Sequence, residues 1–176
     1  MVIDLPEPCL VVLVGAAGAG KSTLAARLFA TDDVLSSDAH RALLTGDAAN
    51  QAVTKRAFAI LHRRLAQRMA EGRTTVVDAT NVTSFARRSL TRRAAAHGIP
   101  PIAIVIDLEP TLVLARNATR PGRIVPEAAV RRQLADLGRS LRRDAFATDG
   151  FSAVHHARTA AELDGLELAR SPSPRR

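Results

Sequence analysis

The chain has 176 residues, 47% hydrophobic and 24% charged, which suits one globular domain with a real core and excludes a disordered or fibrous chain. No apolar run reaches the roughly 18 residues of a membrane span, and the start lacks the cationic-then-apolar order of a signal peptide. A cytoplasmic location away from membranes is therefore expected. The net charge of +8 favours polyanionic partners, nucleic acid first among them. All the basic residues except Lys21 and Lys55 are arginine, however, and with the heavy alanine use this fits a coding bias equally well. The single cysteine, Cys9, opens an apolar run and reads as a small core residue.

In chain order, apolar runs alternate with helical patterns. Leu10–Val14 reads as a strand buried on both faces, followed at once by glycines. Lys21–Phe29 reads as a helix, Val34–Ser36 as a short strand and Asp38–Leu44 as a short helix before the turn Thr45-Gly46-Asp47. A long helix follows over Asn50–Glu71, with Val53, Ala57, Ile60, Leu61 and Leu65 on one face and Gly72 at its end. Thr74–Val77 and Ile102–Ile106 are further buried strands around an arginine-faced helix, Ser84–His97. Helices are expected from Pro110 to about Thr119 and from Pro126 to Phe146, then a last strand over Ser152–Val154. Residues 1–170 form one domain in this reading, and 171–176 a disordered polar tail. The alternation predicts an α/β fold of three layers, α/β/α, with a mostly parallel central sheet and ligands beyond the carboxyl ends of its strands.

Three motifs fall at those ends. Gly15-Ala-Ala-Gly18-Ala19-Gly20-Lys21-Ser22, with Thr23 next, matches the phosphate-binding loop G-x-x-x-x-G-K-[ST] between a strand and a helix. Its glycines let several N–H groups face one anion, Lys21 reaches the β- and γ-phosphates, and the Ser22 hydroxyl ligates Mg²⁺. No N-K-x-D base-reading motif of a GTPase is present, and the small size favours a compact kinase. Asp38 follows the short strand, where a carboxylate can accept the proton of a substrate hydroxyl or simply cap the helix. Arg41, one turn on, could hold an acceptor phosphate. Val76-Val-Asp78 resembles a Walker B strand. Asp78 could hold Mg²⁺, and Thr80 or Asn81 could line the acceptor pocket, although Asn81 reads better as a turn or cap residue. Arg116, Arg120 and Arg123 surround the break Pro121-Gly122 and look like a lid closing over a triphosphate. Arg87, Arg88, Arg92, Arg93, Arg131, Arg132, Arg142 and Arg143 read as solvated faces. His155 and His156 read as ordinary strand residues.

Together these segments resemble the kinase domain of bacterial polynucleotide kinase-phosphatases, enzymes of RNA end healing. The matching stretches are 15–23, 36–41, 51–58, 76–82, 116–123 and 150–151, in order along the chain. The resemblance implies a P-loop fold with an arginine-bearing lid and an ATP- and Mg²⁺-dependent transfer of phosphate to the 5′-OH end of RNA or DNA. It implies Lys21 and Ser22 on the triphosphate and metal, Asp38 as general base, Arg41 on the acceptor phosphate, and Arg116 and Arg123 on the donor phosphates. The phosphatase and ligase modules of that family are absent here, which leaves an excised domain or a free-standing kinase with such modules on separate chains. Related small P-loop kinases act on sugars, nucleosides or antibiotics, and that is the alternative reading.

Overall fold

The computed structural model describes residues 1–39, 54–121 and 124–172. Five strands form a parallel sheet in the order β3-β4-β2-β5-β6: β2 Leu10–Val14, β3 Val34–Ser36, β4 Thr75–Asp78, β5 Pro101–Ile106 and β6 Ala153–Ala157. β2 sits at the centre, with Val11 opposite Val76 on one side and Ile102 on the other. All five of its side chains are buried, because helices cover both faces of a parallel sheet. Alternate residues enter two cores. Val11 and Leu13 pack with Leu24 of α1 (Lys21–Leu28), Val113 of α4 (Pro110–Ala118) and Leu163 of α7 (Ala160–Asp164). Leu10, Val12 and Val14 pack with Leu61 and Leu65 of α2 (Thr54–Ala70), Leu90 of α3 (Ser84–Ala96) and Phe146 of α6 (Ala145–Thr148). α5 (Glu127–Arg142) gives Val130 to the first core and Leu137 to the second. This is the expected three-layer α/β/α fold. Burial of each such Val or Leu contributes about 1.5–3 kcal/mol before the entropy of ordering is subtracted. Cys9 lies in the first core, where burial pushes its thiol up to about 11, so it is inert.

Four expectations change. The helix expected to run unbroken from Pro126 to Phe146 is split, because Asp144 adopts φ 48° between α5 and α6. A second parallel pair was not foreseen: β1 (Val2–Glu7) beside β7 (Glu167–Pro172). Ser171 and Pro172, read as tail, pair with Pro6 and Glu7, and 173–176 lie outside the described residues. Arg87 is not on a solvated face; it is 0% exposed and ion-paired to Asp149 at 2.6 Å, and Arg88 shares the same carboxylate at 2.9 Å. Finally, β6 continues beyond Val154 to Ala157, which places His155 and His156 part-buried within it.

Among the described residues, no helix is long and apolar enough to cross a membrane. Arg41, the turn at 45–47, the first residues of the helix expected from Asn50, Gly122 and Arg123 fall outside the described residues.

Candidate active site

The loop after β2 is shaped by close approach. A Cβ on Gly18, at φ 86°, would stand 2.5 Å from the Val113 carbonyl oxygen of α4, and Gly20, at φ 101°, caps α1 in the left-handed region. Only glycine meets both demands. Gly15 N–H donates to the Thr80 carbonyl at 3.0 Å, and Ala19 N–H to that of Ala16 at 3.1 Å. Lys21 is buried and donates through Nζ to the carbonyls of Gly15 and Ala16, both at 2.9 Å, so its charge is held inside the loop. Ser22 Oγ donates to Asp78 Oδ2 at 2.7 Å, joining the first turn of α1 to the end of β4. Ala17 N–H donates to Gln133 Oε1 at 2.8 Å, so α5 crosses over the loop.

Two clefts meet there. One, about 360 Å³, is bounded by Gly18, Gly20, Lys21, Ser22, Thr23, Arg116, Arg120 and Leu163. The other, about 600 Å³, is bounded by Lys21, Ser22, Asp38, Asp78, Thr80 and Arg120, with Arg132, Gln133 and Asp136 from α5. Lys21, Ser22 and Arg120 belong to both. The structure thus brings together most of the residues singled out from sequence. Residues 37–39 are helical, and Ser36 Oγ accepts the Ala39 N–H at 3.4 Å, so the cap position falls to Ser36. Asp38 stands one residue inside the first turn, half-buried, with Ser37 Oγ at 3.4 Å.

Asn81 lines neither cleft. At φ 48° it turns its Nδ2 back to the Leu13 carbonyl at 2.9 Å and the Ala79 carbonyl at 3.3 Å, acting as a strut between β2 and the loop after β4. Arg132 lines the larger cleft, contrary to the solvated face expected of it. Gln133 and Asp136 were not singled out from sequence. Their only signal was the four-residue spacing of Arg132 and Asp136 along the helix after Pro126. Asn117 was also missed. It is buried, its Nδ2 donates to the Val125 carbonyl at 2.8 Å, and its Oδ1 accepts the Val125 N–H at 3.2 Å. It therefore clamps the far end of the link that carries Arg120 to α4.

Asn117→Ala strands both Val125 backbone groups, at a cost of about 1–3 kcal/mol each way of counting the buried orphan. The expected fall in the thermal midpoint is about 2–4 °C per kcal/mol. An unchanged midpoint in calorimetry would show that the link is held elsewhere.

A phosphate-binding loop after the central strand, a carboxylate at the end of the adjacent strand and a parallel sheet covered on both faces define a P-loop α/β domain. Residues 10–142 match the AAA domain family AAA_33, and the chain belongs to that family. Solved structures share the fold. A chain of the Pnkp1/Rnl/Hen1 RNA repair complex is 21% identical, with TM-score 0.68 over 79% of this chain and 47% of that one. The present chain thus spans about half the length of that relative. A gluconokinase from Sinorhizobium meliloti is 19% identical, with TM-score 0.56 over 91% and 87%. AvrRxo1-ORF1:-ORF2, solved with ATP, is 17% identical, with TM-score 0.66 over 88% and 55%. No curated protein matches the chain.

Proposed function

We propose that this chain is a polynucleotide 5′-hydroxyl kinase, transferring the γ-phosphate of ATP to a 5′-OH nucleic acid end in RNA or DNA repair. The observation that carries the reading is the meeting of two clefts at Lys21, Ser22 and Arg120, with Asp38 in the larger one. In this reading the smaller cleft takes the nucleotide and the larger the acceptor. Lys21 neutralises the β- and γ-phosphates from within the loop, and Asp38 accepts the proton of the attacking hydroxyl. Arg116, Arg120 and Arg123 stabilise the charge that spreads over the transferred group, and Arg41 holds the acceptor's first phosphate. Thr80 lines the acceptor side.

Ser22 Oγ and Asp78 Oδ2 are hard oxygens 2.7 Å apart at the cleft junction. Such a pair suits Mg²⁺, which takes one or two protein oxygens and completes its shell with phosphate and water. Ser22 and Asp78 would hold the ion, which would supply positive charge against the phosphates.

The polynucleotide acceptor draws support from the size of the larger cleft and from Arg120 and Arg132 on its wall. It also draws support from the RNA-repair relative. The likeness to a gluconokinase over most of both chains favours the second reading, a small-molecule kinase.

Labelled ATP offered with 5′-OH oligonucleotides, nucleosides and sugars separates the two. The oligonucleotide is expected to be the best acceptor, with affinity falling against salt at a log–log slope of roughly −0.7 per phosphate contacted. Equal use of a bare nucleoside or sugar, without salt dependence, would promote the small-molecule kinase.

A further inference from the structure

Gln133 reaches from α5 to the phosphate-binding loop, where its Oε1 accepts the Ala17 N–H at 2.8 Å. A backbone N–H can only donate, so the atom that meets it is the amide oxygen, and the NH2 group is turned away from the loop backbone. Gln133 is half-buried and lines the larger cleft. Its Nε2 has no hydrogen-bond partner among the described residues. A side chain anchored at its oxygen thus keeps two unused N–H donors at the wall of a cleft.

The anchor is a single peptide group. Lys21 Nζ donates to the Ala16 carbonyl at 2.9 Å, and the N–H that Gln133 accepts belongs to the same Ala16–Ala17 peptide. One planar unit therefore holds the ammonium at its oxygen and the carboxamide at its nitrogen. That keeps Lys21 Nζ and Gln133 Oε1 within about 8 Å of each other. Ala17, Lys21 and Gln133 all border the larger cleft, together with Ser22, Asp38 and Asp78. In the reading above, the γ-phosphate stands at Lys21 and Ser22, and the attacking hydroxyl stands beside Asp38. The unused amide shares a cleft with both.

We propose that Gln133 is a further catalytic residue: its Nε2 donates a hydrogen bond to an oxygen of the γ-phosphoryl group as that group passes from the nucleotide to the acceptor. The hydroxyl oxygen bonds to phosphorus and its proton goes to Asp38, while the bond to the β–γ bridging oxygen breaks and leaves its electron pair on ADP. Gln133 moves no proton. It supplies a neutral donor whose orientation is fixed beforehand by Ala17, so little reorganisation is needed as charge spreads over the phosphoryl oxygens. The inference rests on the kinase reading and holds for either class of acceptor.

The test compares the wild-type chain, Gln133→Leu and Gln133→Glu on the best acceptor of the panel above. Gln133→Leu lacks both the tie to Ala17 and the donor, whereas Gln133→Glu keeps an oxygen for Ala17 and loses the donor. Both are expected to lower kcat about ten- to a hundredfold. ADP lacks the group that Gln133 contacts, so it should bind Gln133→Leu within about twofold of wild type. ADP with Mg²⁺ and aluminium fluoride, a mimic of the group in transfer, should bind Gln133→Leu about ten- to a hundredfold more weakly. As pH falls, turnover of Gln133→Glu should rise relative to wild type, because a protonated carboxyl regains an O–H donor. Unchanged kcat in Gln133→Leu overturns the inference. So does a Gln133→Glu variant that turns over like wild type while Gln133→Leu is slow, since the tie to Ala17 is then all that counts. Equal losses of ADP and aluminium fluoride affinity in Gln133→Leu mean a displaced loop and overturn it too. In each of these cases the kinase reading stands. Wild type that transfers phosphate to none of the oligonucleotides, nucleosides and sugars overturns the kinase reading itself.

Discussion

Asp38→Asn is expected to lower kcat by about two to four orders of magnitude while nucleotide affinity stays near wild type. The substitution keeps the shape and size of the side chain and removes its capacity to take a proton. Ser36, not Asp38, receives the Ala39 N–H, so loss of the carboxylate does not uncap the helix. What the helix loses is a negative charge in its first turn, worth about 0.3–1 kcal/mol. The two roles open to Asp38 therefore separate in magnitude. A base costs orders of magnitude in turnover, and a helix-terminal charge costs a degree or two in the melt. Single-turnover kinetics beside a thermal melt decide between them. A variant that melts slightly earlier and turns over normally would return Asp38 to a local structural role and reopen the search for the base.

Arg87→Ala should be the most destabilising of the arginine substitutions, by about 3–5 kcal/mol, because it leaves a buried carboxylate without its main partner. The guanidinium is fully enclosed. Its Nε donates to Asp149, its Nη1 to the Asn81 carbonyl at 3.1 Å, and its Nη2 to Ser84 and Ser140. It also lies 4.1 Å over the Phe146 ring. Burial pulls its pKa down, and the Asp149 hydrogen bond holds it up, which keeps the group charged. At about 2–4 °C per kcal/mol the melting point should fall by roughly 6–20 °C. Arg92→Ala, on the exposed side of the same helix, should stay within about 0.5 kcal/mol of wild type. Asp149→Ala should match Arg87→Ala, and the double variant Arg87→Leu/Asp149→Leu should recover part of the loss, since removing both groups leaves no unpaired buried charge between them. Equal melting points for Arg87→Ala and Arg92→Ala would mean that the buried network contributes nothing.

That contrast also marks where the sequence stops being informative. Arg87, Arg88, Arg92 and Arg93 are the same letter on one helix, and only Asp149, 62 residues away, makes the first of them a core residue. No local pattern carries that pairing. The binding loop lay at the other extreme. Its glycines, lysine and serine are contiguous, and a β-branched strand before it and a helix after it fixed the geometry locally, so its structure was legible from the letters. The lining of the larger cleft was legible only in part, for the same reason. Asp38, Asp78 and Thr80 sit just past strands and could be placed by topology. Arg132, Gln133 and Asp136 reach the site only because α5 crosses over the loop, a tertiary fact held by the Ala17–Gln133 hydrogen bond. Asn117 was hidden likewise, since its partner is backbone at Val125. The missed strands have a different cause. β1 carries Pro6 and β7 ends in Pro172, residues that argue against a strand, and each finds its sheet partner across nearly the whole chain.

The pairing of Val2 with Glu167 has a consequence for how the molecule is made. A chain growing at roughly 5–20 residues per second leaves β1 waiting about 8–33 s for β7 to follow. β2, β4 and β5 lie in the first 106 residues, so the central strands and the loop they carry can assemble well before that. Ile3 and Leu5, both buried in the finished fold, stay without their strand partner until residues 167–172 have been made. The β1–β7 pairing therefore closes late, after the strands that flank the phosphate-binding loop have been made.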